Sequence, residues 1–199
     1  MSTTAAPYGL KPVKRVDGMS WAGAVDEFLI DPAGEATNIF YGQVVIIGAD
    51  GYIAISTATG ADITTNNLGG NGVGAIGVFV GCEYLNSEGQ PMFSQYYPSG
   101  TLGAKAKVVT DPNVIFQAQL DGSAAQTVLG TNTKFAAVQS TSTGSTATGN
   151  STSALDATVQ TTAGAFRIVG FASTPGDAYT DVYVKFNPGA HSLTNNVGL

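Results

Sequence analysis

Residues 44–56 read VVIIGADGYIAIS, and this stretch decides the fold class. Its first four residues are all β-branched, and β-branched side chains favour strands over helices. Tyr52, Ile53 and Ile55 restore a strand pattern after the turn residues. An Asp-Gly pair between two apolar runs is a strong hairpin signal. The stretch therefore predicts two antiparallel strands joined by the turn at residues 48–51.

Similar short apolar runs recur on both sides of this hairpin, separated by turns rich in Gly and Pro. The predicted strands are residues 27–30, 73–85, 92–97, 105–110, 114–120, 166–172 and 181–186. The best helical candidate, residues 124–129, is one or two turns long. Many short strands with little helix predict an all-β domain, an antiparallel β-barrel, jelly roll or sandwich.

One further strand pairing is expected from a turn signal. Residues 105–110 and 114–120 flank Asp111-Pro112-Asn113, so the two strands are predicted to form a hairpin. In the second strand the apolar residues alternate with Gln117 and Gln119. This alternation predicts a strand with one buried face and one solvated face, with both glutamines on the solvated side.

The chain is expected to hold one β domain, residues 17–188, between two appendages. Residues 1–16 form an extended N-terminal arm, and residues 189–199 form a polar C-terminal tail that is predicted to be loose. Residues 140–153 consist almost wholly of Ser, Thr and Gly. They are expected to form a flexible loop with no means of burying itself.

The arm carries the most informative stretch for function, APYGLKPVKR at residues 6–15. Its two prolines fix φ and remove backbone donors, so the segment cannot be helical and makes a poor central strand. Tyr8 and Leu10 are apolar anchors, and three of the chain's eight basic residues follow within five positions. Three roles stay open: an arm on another protein, a cover for its own core, or a link to a neighbouring protomer.

Charge is unevenly distributed along the chain. Charged residues make up 11% of the sequence, against about 25% in typical soluble domains. Residues 1–16 carry three positive charges and no negative ones, whereas residues 17–199 carry five positive and fourteen negative charges. An acidic body argues against nucleic acid as the main partner. A basic arm on such a body favours an acidic neighbour, including another copy of the chain.

No signal peptide or membrane-spanning run is visible, so a soluble protein made in a cytoplasm is expected. Cys82 is the single cysteine, lies in an apolar run and is interpreted as a buried hydrophobe. With one histidine, His191, multi-histidine metal sites are excluded. Neither a metal nor a cofactor is expected.

Two residue patterns known from enzymes occur in the sequence, but neither predicts catalysis here. Residues 72–77 match GxGxxG, but no strand-loop-helix unit surrounds them, so they are interpreted as a bent strand. Folding could bring the acids Asp26, Glu27 and Glu83 together as a carboxylate pair of the glycosidase type. Single acids on strand faces are more often solvated, and the expectation is a protein without catalytic residues.

The residues APYGLKPV at positions 6–13 resemble the APFGLRPV opening of structural proteins from tailed bacteriophages, a group of capsid decoration (cement) proteins. Three other places also resemble that group. They are Trp21-Ala22-Gly23 with the strand after it, DPNVIFQ at residues 111–117 against the group's DDPDVVFE, and the terminal strand. The similarity covers most of the chain as scattered short motifs. The acidic residue usual near Gln117 is absent, and residues 140–153 have no place in the pattern.

The resemblance implies a non-enzymatic homotrimer on the outside of a phage capsid, made in the host bacterial cytoplasm. It would bind the major capsid protein and other copies of itself, and would stabilise contacts between capsid subunits. The arm is then the capsid-binding segment, with Tyr8 and Leu10 as anchors and the basic groups guiding approach. The residues assigned to it are Pro7, Tyr8, Leu10, Lys11, Pro12, Lys14 and Arg15.

A second candidate function is carbohydrate binding. A phage tail or fibre module would bind a host-surface glycan, and exposed Trp21, Tyr96 and Tyr97 would stack on its sugars.

Overall fold

Two antiparallel sheets form the framework of the fold. The computed structural model describes residues 3–60, 74–140, 142–159 and 164–195. In these residues the strands are β1 (Lys11–Arg15), β2 (Asp26–Leu29), β3 (Val44–Ile47), β4 (Ile53–Ile55), β5 (Gly77–Leu85), β6 (Pro91–Ser94), β7 (Lys105–Val109), β8 (Val114–Gln119), β9 (Asn132–Thr133), β10 (Phe166–Phe171) and β11 (Asp181–Phe186). Two short 3-10 turns, Gln126–Val128 and Pro188–Ala190, complete the regular structure.

The five-stranded sheet has the order β1-β8-β11-β10-β9. The six-stranded sheet has the order β2-β7-β5-β3-β4, with β6 also paired to β5. Strand accounts for 38% of the structure and helix for 3%, which confirms the all-β prediction. In the described part of the chain the two sheets share no strand, so the fold is a two-sheet arrangement rather than a closed barrel.

The hairpin predicted from residues 44–56 is confirmed. Strands β3 and β4 pair antiparallel, with Val45 opposite Ile55 and Ile47 opposite Ile53. Gly51 adopts a φ of 82°, a left-handed conformation that glycine takes without the steric cost of a Cβ. Its N–H donates to the Gly48 carbonyl at 2.9 Å and closes the turn.

The predicted hairpin between β7 and β8 is wrong. Strand β7 pairs with β2 and β5, whereas β8 pairs with β1 and β11 in the other sheet. The Asp111 carboxylate accepts a hydrogen bond from the Asn113 N–H at 2.9 Å, so the turn chemistry is present. Here the turn carries the chain from one layer to the other. Local turn residues bend a chain equally well in either topology, and the packing of both strands decides between them.

Two hydrophobic clusters lie on the two sides of the six-stranded sheet. The inner core fills the space between the sheets, and its members include Leu10, Val44, Val78, Val109, Phe116, Phe166, Val184 and Phe186. The second core covers the other side of the six-stranded sheet, with members that include Ile30, Ile39, Val45, Phe79, Cys82, Tyr97 and Val108. Alternate residues of β7 therefore enter different cores, as the period of two in a strand requires, whereas a register shift between Phe79 and Gly81 of β5 places Phe79 and Cys82 in the same core.

Strand β8 is covered on both faces, which corrects the expectation of a solvated glutamine face. Gln119 is 4% exposed, and its side-chain oxygen accepts a hydrogen bond from the Ala6 N–H at 2.7 Å. Gln117 is half-buried. The residues ahead of β1 lie over this part of the sheet, so amide side chains replace water as partners for the N-terminal backbone.

Residues 140–153 also differ from expectation, since Ser151 and Ser153 are buried. The Gln43 side chain donates to the Thr143 hydroxyl at 2.8 Å, and the Ser151 N–H donates to the Tyr41 carbonyl at 2.9 Å. Small hydroxyl side chains let this segment pack closely and satisfy its own backbone. The expectation that it has no means of burying itself is wrong.

The C-terminal segment enters the inner core instead of forming a loose tail. Ala190 is fully buried and His191 is 1% exposed. Backbone hydrogen bonds of 2.8 Å join Ala75 to Ala190 and Ser192 to Ala75. Within the described residues the ordered packing thus continues past residue 189, where the tail was expected to begin. Residues 196–199 lie outside the described part of the structure.

Candidate protein-binding face

The arm folds onto the chain's own five-stranded sheet. Residues Lys11–Arg15 form edge strand β1, which pairs with β8, and the register shifts between Pro12 and Lys14. An edge strand tolerates a proline because one of its sides needs no ladder hydrogen bond. The prediction that this segment is extended and unsuited to a central position is confirmed.

Leu10 points into the inner core and has no exposed surface. Gly9, with a φ of 73°, lets the backbone approach the Gly42 carbonyl so closely that an added Cβ would lie 2.6 Å from its oxygen. Pro12 is also buried within the chain. The role of Leu10 as an anchor on the capsid is therefore wrong in this structure, because its side chain already serves the protein's own core.

Tyr8 is also engaged within the chain. Its hydroxyl donates to the Asp181 carboxylate at 2.9 Å, and burial together with this hydrogen bond raises the pKa of the phenol. Pro7 is half-buried beside it. Of the three roles left open for the arm, covering its own sheet is the one that this single chain displays.

Arg15 is paired internally. Its Nε lies 3.2 Å from a carboxylate oxygen of Asp111 and 3.8 Å from one of Asp17. The pairing ties the end of β1 to the turn that connects the two sheets. Arg15 is thus the least available of the three basic residues assigned to the arm.

Lys11 and Lys14 lie on the outer face of the five-stranded sheet, the face that points away from the inner core. Lys11 is exposed and stands opposite Gln117 of β8. The Lys14 ammonium lies 5.1 Å from the centre of the Tyr183 ring, a cation–π geometry. These two residues keep their charges at the surface, while the neighbouring Leu10 and Pro12 are buried.

Sequence reasoning missed two residues that complete this face. Arg167 of β10 and Lys185 of β11 stand opposite each other, on the same outer side as Tyr183. Their neighbours along the two strands all belong to the inner core: Phe166, Ile168, Val184 and Phe186. The alternation of β10 and β11 indicates that Arg167 and Lys185 point outward, but only the sheet order places them on the same face as Lys11 and Lys14, with β8 lying between β1 and β11. We name Lys11, Lys14, Arg167 and Lys185 the basic face.

The basic face is electrostatically distinct from the rest of the molecule. The chain's other four cations each form an ion pair: Arg15 as above, Lys105 with Glu83, Lys107 with Glu27 and Glu83, and Lys134 with Asp156. Across the described residues, no carboxylate lies within ion-pair distance of the four basic-face cations. Asp181 is the one acid in the strands of this sheet, and it accepts the Tyr8 hydrogen bond. A chain of net charge −6 thus presents one positive face.

A polar cleft of about 430 Å³ adjoins the basic face. It is lined by Tyr8, Lys11, Tyr41, Gln95, Gln117 and Asn150. Gln95 donates to the Asn150 side-chain oxygen at 2.5 Å, and burial raises the pKa of the Tyr41 phenol. Amide and hydroxyl groups beside a lysine suit hydrogen bonding to the polar surface of another macromolecule.

The aromatic residues considered for glycan stacking pack against other parts of the same chain. Tyr97 is fully buried in the second core, so its predicted exposure is wrong. Tyr96 stacks on Phe40 with ring centres 5.6 Å apart. Trp21 is half-buried and packs against the inner core. The three rings do not form an exposed stacking platform.

The remaining candidates, for catalysis and for metal binding, are held in ion pairs or buried. Folding does bring Glu27 and Glu83 together, but each contacts the Lys107 ammonium, at 3.7 and 3.5 Å. Cys82 is 2% exposed, and burial raises the pKa of its thiol to about 12. No group of three metal-ligating side chains forms in the ranges described. The described residues also contain no helix of the length and apolarity that crossing a membrane requires.

Comparison with protein-family models, with curated proteins and with solved structures finds no match to this chain.

Proposed function

We propose that this protein is a non-enzymatic virion structural protein that binds the outside of a phage capsid. One observation carries the proposal: four cations without ion-pair partners among the described residues lie on one sheet face of an acidic chain. The basic face would meet acidic groups of the major capsid protein, and the adjoining polar cleft would add hydrogen bonds. Binding across subunit boundaries would stabilise the shell.

Charge distribution favours a protein partner over a nucleic acid. A nucleic acid presents phosphates over a long distance, so the acidic remainder of this chain would be repelled. An acidic patch on a protein surface is limited in extent, and a basic face of four cations would be complementary to it. The resemblance of residues 6–13 to capsid decoration proteins agrees with this partner.

The contacts available on the basic face are individually weak. Exposed ion pairs contribute roughly 0.2–1 kcal/mol each. Several copies attached to one another would bind a repetitive shell much more tightly, because each later contact forms at a high effective concentration. Cooperative attachment to a lattice of identical subunits fits such a face better than tight binding to one isolated molecule.

Neutralising two basic-face cations tests the proposal directly. We expect the double variant Lys11→Gln, Lys185→Gln to bind capsids that lack the protein about tenfold more weakly than the wild type, because two interfacial ion pairs are lost. Wild-type binding should also weaken as salt is raised. Co-sedimentation with capsids at several salt concentrations measures both effects.

A matched control separates the basic face from net charge. The double variant Ser123→Glu, Thr127→Glu reaches the same net charge through two exposed residues outside that face. It should bind capsids nearly as well as the wild type. Equal binding by all three proteins would remove the basic face from the interface.

Counting copies of the protein in purified particles tests the broader assignment. Quantitative mass spectrometry should find it in numbers comparable to the major capsid protein. A small number, of the size that a tail or vertex allows, would favour the tail or fibre function instead. Absence from the particle would overturn both.

A further inference from the structure

The polar cleft beside the basic face continues toward the six-stranded sheet. It meets a second cleft of about 410 Å³, and Tyr41 and Gln95 line both of them. Phe93, Ser94 and Lys107 are among the other residues that line the second cleft. Because the two clefts share walls, they form one elongated groove, which we name the long groove.

The two ends of the long groove differ in chemistry. Lys11 lines only the first cleft, is exposed and belongs to the cations that lack an ion-pair partner among the described residues. Phe93 lines only the second cleft and is 72% exposed, with the Lys107 ammonium 5.4 Å from the centre of its ring. Lys107 itself is paired with Glu27 and Glu83. One end thus offers a free positive charge, and the other offers an aromatic surface.

A fixed pair of amides lies in the middle of the long groove. The Gln95 nitrogen donates to the Asn150 side-chain oxygen at 2.5 Å, which orients both groups. The Gln95 oxygen and the Asn150 nitrogen have no hydrogen-bond partner in the part of the chain that the structure describes. One acceptor and one donor are therefore available next to each other. This arrangement matches a polypeptide main chain, because each peptide unit carries one N–H and one C=O.

The charges of the lining narrow the choice of ligand. Among the described residues no carboxylate lines the long groove, although the chain carries 14 acidic residues. An acidic group at the Lys11 end would meet a cation without a neighbouring like charge. In the middle, a carboxylate or a phosphate would face the Gln95 oxygen, which can only accept hydrogen bonds. A wholly apolar ligand would leave the amides unpaired. The groove thus suits a segment that is acidic at one end, uncharged and polar in the middle and apolar at the other end.

We propose that the long groove binds an extended segment of the major capsid protein. The main chain of the segment would pair with Gln95 and Asn150, an acidic side chain would reach Lys11, and an apolar side chain would pack on Phe93. An extended segment is favoured because a helix uses its main-chain groups internally. The inference rests on the proposed function, and it adds to the basic face an uncharged contact that fixes the direction of the partner chain.

Removing the amide nitrogen of Asn150 tests the middle of the long groove. Asn150→Asp keeps the oxygen that accepts from Gln95 but removes the free donor. We expect it to bind capsids that lack the protein about tenfold more weakly than the wild type. Ser123→Glu is the matched control, because it adds the same charge at an exposed residue outside the groove. Co-sedimentation at high salt isolates the lost hydrogen bond, because salt screens the effect of the added charge.

The two possible failures are distinguishable. If the wild type sediments with capsids and Asn150→Asp binds as well as Ser123→Glu, the groove is not part of the interface and only this inference fails. If the wild type does not sediment with capsids, the proposed function fails as well.

A photocrosslinker at Phe93 tests the identity of the bound segment. Phe93→p-benzoylphenylalanine keeps an aromatic ring at an exposed position. After irradiation of the bound particles, mass spectrometry should find it attached to one short segment of the major capsid protein, with an acidic residue close to the attachment point. The same crosslinker at Met19, which is 65% exposed and does not line the groove, should not attach to that segment. Attachment of both crosslinkers to the same capsid residues, or of neither to the capsid, would overturn the proposal.

Discussion

Replacing Leu10 with alanine is expected to lower the free energy of unfolding by about 3 kcal/mol. Leu10 is fully buried in the inner core, although it lies in a segment that the sequence marks as an external arm. Removing its side chain would leave a cavity, because neighbouring Gly9 is fixed against Gly42 and the backbone has little freedom to collapse. The loss should appear in chemical denaturation of the isolated protein.

Val16→Ala provides the control, because Val16 is next to the same strand but 52% exposed. It should change the free energy of unfolding by less than about 0.5 kcal/mol. If Leu10→Ala were as stable as the wild type, Leu10 would not occupy the core in solution, and a role on a partner would return. If the loss appeared only at concentrations where copies associate, the arm would instead pack on a sister protomer.

Acid is expected to destabilise the fold through His191. The imidazole lies 5.2 Å from the Phe186 ring, and burial lowers its pKa from 6.5 to about 4. Its Nδ1 accepts a hydrogen bond from the Leu193 N–H at 3.3 Å, whereas its buried Nε2 has no hydrogen-bond partner among the described residues. The unfolded chain binds a proton near pH 6.5 that the folded chain binds only near pH 4. Stability from the neutral imidazole is therefore complete above pH 6.5 and falls by about 3 kcal/mol as the pH drops to 4.

Comparing the wild type with His191→Asn isolates this contribution, since asparagine retains an acceptor for Leu193 but does not titrate. Carboxylates titrate in both proteins, so their effects cancel in the difference. The difference in free energy of unfolding between the two should shrink steadily from pH 7 to pH 4. A constant difference would show that His191 does not titrate differently in the folded and unfolded states.

Strands could be predicted from the sequence because they depend on local patterns. Residues 44–56 contain both strands and the turn of one hairpin, and all three form as expected. The pairing of β7 with β8 failed because Asp111-Pro112-Asn113 specifies a bend but not the layer that each strand joins. The burial of Gln119 could not be predicted, because the backbone near Ala6 that covers it lies more than a hundred residues away in sequence.

Two of the four basic-face residues could be predicted from the sequence of the arm. Lys11 and Lys14 stand out because they are close together in a stretch with no acids. Arg167 and Lys185 are isolated basic residues in ordinary alternating strands, and only the order β1-β8-β11-β10 brings them onto the same surface. Leu10 and Lys11 look equally available in sequence, although one is buried and the other exposed.

The hydrogen bond between Tyr8 and Asp181 spans 173 residues and constrains how the chain folds during synthesis. Strand β8 lies between β1 and β11, so the five-stranded sheet remains incomplete until β11 has left the ribosome. Strand β1 can pair with β8 earlier, but Tyr8 lacks its native hydrogen-bond partner until Asp181 has been made. Such long-range pairing slows folding and leaves sheet edges exposed in the meantime. The three positive charges of residues 1–16, with no acid among them, would repel the same segment of a neighbouring nascent chain while each arm waits for its sheet.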